Sequence, residues 1–367
     1  MKKHLLKLIT IIPLVFLLCI SWMQKVEIKT ENGVKIIRNP KTPVSLPGVP
    51  SRVILKEDLV IGEETEKEDF WFSFVNSIAV DDSGNIYTLD PKEVKIRVFD
   101  PKGKLLRTFG RKGQGPGEFS GPGWMKVMPD GLLVVYDVLA SQFTYLTLDG
   151  KFLKTVSTSK LPVGLLIIDS RGFIYQHKMG PEYKTIDELI KYDPSLNPVM
   201  KIHSFERTRK PRIINPFPVG YFFELTEADN LIWLLSSAYD IHVVDPNGKT
   251  VMRIIKNYDS MKITDADKER VVETFPSRFE IEFPEYYPAV AGLFIDERDQ
   301  IFTQTFEKDH YGGVYHDVFD PNGRYIARFS LPENEQIAVI KNNKLYCMIG
   351  ESEESIPLVK RYIMKWE

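Results

Sequence analysis

The chain has 367 residues, with 48 Lys and Arg against 50 Asp and Glu and a net charge of −2. That balance gives no general drive toward nucleic acid. Two cysteines, Cys19 and Cys347, allow no internal disulfide if the first lies in a leader, and 43% hydrophobic residues are enough for a core without one.

Lys2, Lys3 and Lys7 precede an apolar run from Leu8 to Met23, broken only by Thr10, Pro13 and Ser21. A basic start and an apolar stretch too short for a comfortable membrane span make an export signal. Residues 1–24 are therefore expected to be a signal or membrane anchor, and residues 26–367 the folded domain. Three fates are open: lipidation at Cys19, against which Phe16-Leu17-Leu18 stand where small residues are needed; cleavage near Ser21; and retention as an anchor. Each puts the domain outside the cytoplasm, in the periplasm or at the cell surface, secreted or anchored.

The stretch 52–62 reads as an outer strand with no unit before it. The clearest repeat follows: Ser77-Ile78-Ala79-Val80, the turn Asp82-Ser83-Gly84-Asn85, Ile86-Tyr87-Thr88-Leu89, then Ile96-Arg97-Val98-Phe99, the turn Asp100-Pro101-Lys102-Gly103 and Leu105-Leu106-Arg107-Thr108-Phe109. Alternating strands joined by Asp/Gly/Pro/Asn turns make one four-stranded blade. The apolar residue after the first turn recurs as Tyr87, Val134, Tyr175, Trp233, Phe302 and Tyr346, spaced about 47, 41, 58, 69 and 44 residues apart. That period predicts a β-propeller. The sixth unit stops at Trp366 without its last strand, and the strand in 52–62 is expected to supply it, closing a six-bladed ring and removing a bare edge.

The run Phe109-Gly110-Arg111-Lys112-Gly113-Gln114-Gly115-Pro116-Gly117-Glu118-Phe119, behind the Asp-x-x-Gly-Asn-Ile-Tyr phrase, resembles NHL-repeat proteins, and more narrowly the TolB-like bacterial exported six-bladed β-propellers. The start Gly33-Val34-Lys35-Ile36-Ile37-Arg38-Asn39-Pro40-Lys41 is similar to their usual mature start. The resemblance covers the chain after residue 26 and is most specific in the first blade.

The long steps mark insertions. Residues 264–275 read as a short helix, with Thr264 as N-cap, Asp265 and Asp267 at the positive end of the dipole, and Pro276 as its stop. Loops entering the innermost strands of a propeller ring the mouth of its channel. Asn76, Ser77, Trp124, Tyr221, Phe222, Tyr286, Tyr287 and Gln336 are expected there as an aromatic basin with a few polar groups. Arg207, Arg209, Lys210 and Arg212 form a candidate anion patch in a second insertion, or else a solvated loop.

Gly113, Gly115 and Gly117 have the wrong spacing for a dinucleotide fingerprint, and a strand follows where phosphate binding needs a helix. His177, His203, His242, His310 and His316 form no compact metal-ligand spacing. No nucleophile elbow is present. Some NHL-type lyases hold metal with axial histidines, and lactonase-type propellers hold calcium with axial carboxylates and an Asn. Asn76 stands at an axial position, without a matching carboxylate. Cys347 reads as a buried small hydrophobe. The expectation is a monomeric, non-catalytic scaffold, with no cofactor and no metal, binding a small molecule, peptide or protein at the channel mouth. It has no nucleic-acid role and meets the membrane only through its N-terminal segment. The alternative is a metal-dependent hydrolase or lyase with its site on the propeller axis.

Overall fold

A computed structural model describes residues 25–62, 72–162, 164–180, 184–208, 210, 212–273, 275, 278–350 and 356–367. The leader 1–24 with Cys19, Arg209 and Pro276 lie outside the described residues.

Six antiparallel four-stranded blades form a propeller, five of them separate sheets and blade four part of a six-stranded one. Blade one runs Ser77–Val80, Ile86–Asp90, Lys95–Phe99 and Leu105–Phe109 from the axis outward. Blades two to five repeat that order from Pro122–Val127, Gly164–Ile168, Tyr221–Leu225 and Gly292–Ile295. Turn chemistry sets the spacing. Asp100 accepts the amides of Lys102 and Lys104, and Asp193, Asp245 and Asp320 do the same for the amides two and four residues on. Each carboxylate thus caps its own hairpin, which favours Asp at these places.

Blade six is Glu335–Lys341, Lys344–Ile349, Leu358–Trp366 and, as its outer strand, Val53–Ile61. The register runs antiparallel from Val359 opposite Ile61 to Trp366 opposite Val53. The N-terminal strand therefore closes the ring as the repeat count predicts. Arg361 fixes the joint: its guanidinium takes both oxygens of Asp58 at 2.9 Å and the Pro101 carbonyl of blade one at 2.7 Å. Gly103, at φ +82°, lets that turn lie on the closing strand, since a Cβ there would meet Leu59 Cδ1 at 2.8 Å.

The core is six wedges, one between each pair of neighbouring blades. All six repeat anchors are buried in these wedges. Cys347 is buried too, as expected, and burial pushes its thiol up.

Two features are new. Strands Glu27–Glu31 and Val34–Asn39 form a hairpin that pairs in parallel with the outer strand of blade four, Thr250–Lys256. Its turn, Asn32 at φ 51° and Gly33 at φ 78°, has the positive pair that a type I′ hairpin needs. Between blades four and five, helix Asp265–Glu273 buries no residue. Thr264 caps it as expected, accepting the Asp267 amide at 3.2 Å while Asp267 accepts back from Thr264. Nearby, Ile213–Ile214 pairs in parallel with Glu280–Ile281.

Candidate functional site

Each inner strand has a hydrogen-bonded neighbour on one side only, so six strand edges face the axis. They enclose a channel of about 580 Å³ lined by residues of all six blades. The inner strands run the same way, so the two mouths differ.

The mouth where the strands begin holds Asn76, Trp124, Leu165, Tyr221 and Phe222. The other mouth holds Asp82, Ser170, Glu227, Asp229, Asp296, Glu297 and Lys341. Lys341 of blade six lies 2.6 Å from Asp82 of blade one and 3.8 Å from Glu227 of blade four. Blades one and four stand opposite each other, so this lysine spans the acidic mouth. Asp82 is exposed, so the bridge contributes little to stability. Its consequence is steric: it narrows that end.

Of the eight expected mouth residues, Asn76, Ser77, Trp124, Tyr221 and Phe222 come together in the channel lining. Ser77 is spent on structure, its Oγ accepting the Met125 amide at 3.1 Å and donating to the Met125 carbonyl at 3.3 Å. Asn76 donates to the Gly123 carbonyl at 2.9 Å, while its buried Oδ1 has no hydrogen-bond partner. The Tyr221 hydroxyl bonds to His203 Nδ1 at 2.8 Å and is held up by burial. Trp124 packs on Tyr136 and Phe143 with its remaining face toward the channel.

Tyr286, Tyr287 and Gln336 are not in the lining. The 279–288 segment turns outward instead: Tyr287 stacks on Phe306 at 4.5 Å and meets Phe217 edge-on at 4.7 Å, and Tyr286 bridges to Lys262. Val290, just before the inner strand, is buried between blades four and five. The segment thus reaches the inner strand from outside the mouth.

Of the described basic residues, Arg207 and Lys210 are each engaged by a carboxylate. Arg207 belongs to the outer strand of blade three, Pro198–Thr208, rather than to a loop, and its guanidinium lies 2.7 Å from buried Asp187. Lys210 pairs with Glu282 at 2.6 Å, and Arg212 occupies a left-handed turn at φ 62°.

The histidines serve the blades. His177 bonds to Asp187 at 2.9 Å. His242 stacks on Trp233 at 4.3 Å, and burial, opposed by Asp240, takes its pKa down to about 4. His316 stacks on Phe329, away from His310 against Tyr311. Among the described residues no three His, Cys, Asp or Glu side chains are arranged to hold a metal ion. In the glycine loop the Gly115 amide is taken by Glu118 at 2.9 Å and the Gly113 amide by the Phe119 carbonyl at 3.0 Å.

Two channel residues escape sequence reasoning. Lys126, on the inner strand of blade two, reaches past blade three to the Leu225 carbonyl of blade four at 3.5 Å. Glu224, one residue before that carbonyl, also lines the channel, and burial raises its carboxyl more than Lys126 lowers it. Their signal in the sequence is a charge at an otherwise apolar inner-strand position. Chemically, the channel offers apolar side chains and strand edges, the Lys126 ammonium and Glu224 carboxyl between its mouths, the orphan Asn76 acceptor at one mouth, and a carboxylate cluster with Lys341 at the other. The hydroxyls of Ser77 and Ser170 are both engaged, the latter by Asp229 at 2.6 Å.

Residues 60–202 match a family model, DUF5128, described as a 6-bladed beta-propeller. Among solved structures, a Bacteroides fragilis protein described as exported superposes with a TM-score of 0.55 at 13% identity, over 90% of this chain and 99% of that one. A member of the DUF4221 family from Bacteroides vulgatus gives 0.53 at 12% identity, over 87% and 100%. Both likenesses show the fold alone. No curated protein matches the chain.

Proposed function

We propose that this protein is an exported, non-catalytic propeller that binds a small molecule in its central channel, admitted through the mouth where the inner strands begin. The observation that carries this reading is the channel itself: about 580 Å³, within the range of small-molecule sites. Its walls mix apolar side chains with polar groups, the make-up of a site that both seats and orients a ligand. Leu165 keeps 63% of its surface exposed within a lining where its neighbour Leu166 is buried, an apolar face left for a ligand. The Lys341 bridge across the acidic mouth favours admission from the other side. Export is supported by the basic and apolar leader and by the likeness to a Bacteroides protein described as exported.

The test uses the neutral dye N-phenyl-1-naphthylamine, which brightens in apolar cavities. Saturable binding near one dye per chain is expected. Leu165→Trp, which crowds the open mouth from an exposed position, should weaken it several-fold without moving the thermal midpoint. Dye emission that is absent in the native protein, or unchanged by Leu165→Trp, overturns the channel reading.

A further inference from the structure

We propose that Lys126 makes the channel a site for the carboxylate end of a small apolar monocarboxylic acid, whose tail lies toward Trp124, Leu165 and Phe222. The inference rests on the channel reading above and adds the ligand's class.

The Lys126 ammonium has three donors and one long bond, 3.5 Å, to a neutral carbonyl. Among the described residues no carboxylate lies within ion-pair distance of it. Lys256 sits 3.2 Å from Asp317 and Lys360 bonds to Glu335 at 3.0 Å, while buried Lys191 has a shorter carbonyl bond, 2.8 Å to Pro246, and lies over the Phe173 and Tyr175 rings. Glu224 acts on this half-buried ammonium only from beyond ion-pair distance, and an anion in the channel supplies a direct partner.

Position sets the orientation. Lys126 is the penultimate residue of its strand, Pro122–Val127, and Glu224 is the penultimate residue of Tyr221–Leu225. Both stand toward the acidic end of the channel. Trp124, Leu165 and Phe222 stand toward the open end. A carboxylate entering there passes apolar walls first and meets the ammonium last. The acidic far mouth, with Asp82, Glu227 and Asp296, repels an anion from the other direction.

The charge count sets the class. Lys126 is the one cation on the wall between the mouths among the described residues, and Glu224 stands beside its carbonyl acceptor. One negative charge is matched by Lys126. A second, as on a phosphate dianion, would face Glu224 without a cation of its own. A cationic head group would meet Lys126 directly. A single carboxylate on an apolar body fits all three constraints.

The experiment holds the tail constant and changes the head. Octanoate, octan-1-ol and octylammonium are titrated calorimetrically into the full folded protein and into Lys126→Met, with thermal midpoints measured in parallel. Octanoate should bind native protein roughly tenfold tighter than octanol, the scale of one charge-assisted hydrogen bond. Octylammonium should bind weakest. Lys126→Met should bring octanoate level with octanol and leave octanol affinity unchanged; Lys126→Gln serves if the Met variant misfolds. Equal binding of octanoate and octanol by the native protein overturns this inference alone, as does a preference that survives loss of the lysine. Failure of all three probes overturns the channel reading, and this inference with it.

Discussion

His316 shows how one buried side chain ties stability to pH. Its ring lies 2% exposed in the third strand of blade five, stacked on Phe329 at 5.2 Å, with Nδ1 donating to the Val314 carbonyl at 3.1 Å. Burial takes its pKa from 6.5 down to about 4, against the opposing pull of that carbonyl and of Asp317. The folded pKa lies below the unfolded one. Between these values the unfolded chain takes up a proton that the folded chain refuses. The contribution is complete above pH 6.5 and is lost as pH falls toward 4. By pH 5 the loss is about 2 kcal/mol for this group. His316→Phe keeps the stack and removes the titration. Urea unfolding at pH 7 and pH 5 should show the variant losing less stability than the native protein, with a residual loss from His242, which shifts the same way. Parallel losses in the two proteins sink the assignment. The same scale explains what the sequence concealed in the site. Asn76 and Trp124 could be placed because one precedes an inner strand and the other lies in the first half of one, a position visible in the repeat. Lys126 and Glu224 sit inside strands, where a polar residue between apolar ones reads as ordinary alternation.

At the scale of elements, the blades were legible because their hairpins carry the instruction locally, in turns of Asp, Asn, Gly and Pro between alternating strands, as in Asp81-x-x-Gly84 and Asp100-Pro101-x-Gly103. The N-terminal hairpin carries one too, Asn32-Gly33, the strongest short hairpin signal. Its destination is non-local: Ile37 lies opposite Ile254, and nothing near either residue announces the pairing. The aromatic segment before blade five was misplaced for a related reason. Chain proximity to an inner strand fixes where a loop ends, not the direction it comes from. The hairpin's anchor is Asn39, 1% exposed, which donates to the Gly323 carbonyl at 2.8 Å and accepts the Tyr325 amide at 2.8 Å. It straps blade four to the outer hairpin of blade five. Asn39→Ala removes both bonds and strands two backbone groups, so a loss of about 2–4 kcal/mol is expected by chemical denaturation. A loss within error of zero shows that the strap is ornamental to stability.

For the whole molecule, the decisive element is the one that closes the ring. Each wedge of core needs two blades, so a ring with one incomplete blade leaves its last strand, Leu358–Trp366, as an open edge. Val53–Ile61 covers that edge along eight paired positions, and Val53 and Ile61 are themselves buried in wedges on either side of blade six. Arg361 adds an ion pair to Asp58 and a tie to blade one. Two deletions separate closure from the strap. A variant lacking residues 25–41 loses only the hairpin, and should remain monomeric with a lowered thermal midpoint. A variant lacking residues 25–62 also loses the closing strand. It exposes an edge and an apolar flank together, the combination that drives strand-to-strand association. Size-exclusion chromatography should find it associated or aggregated where the shorter deletion elutes as a monomer. If the longer deletion is monomeric and melts with the shorter one, the ring holds without its closing strand, and the stability of this propeller lies in its wedges alone.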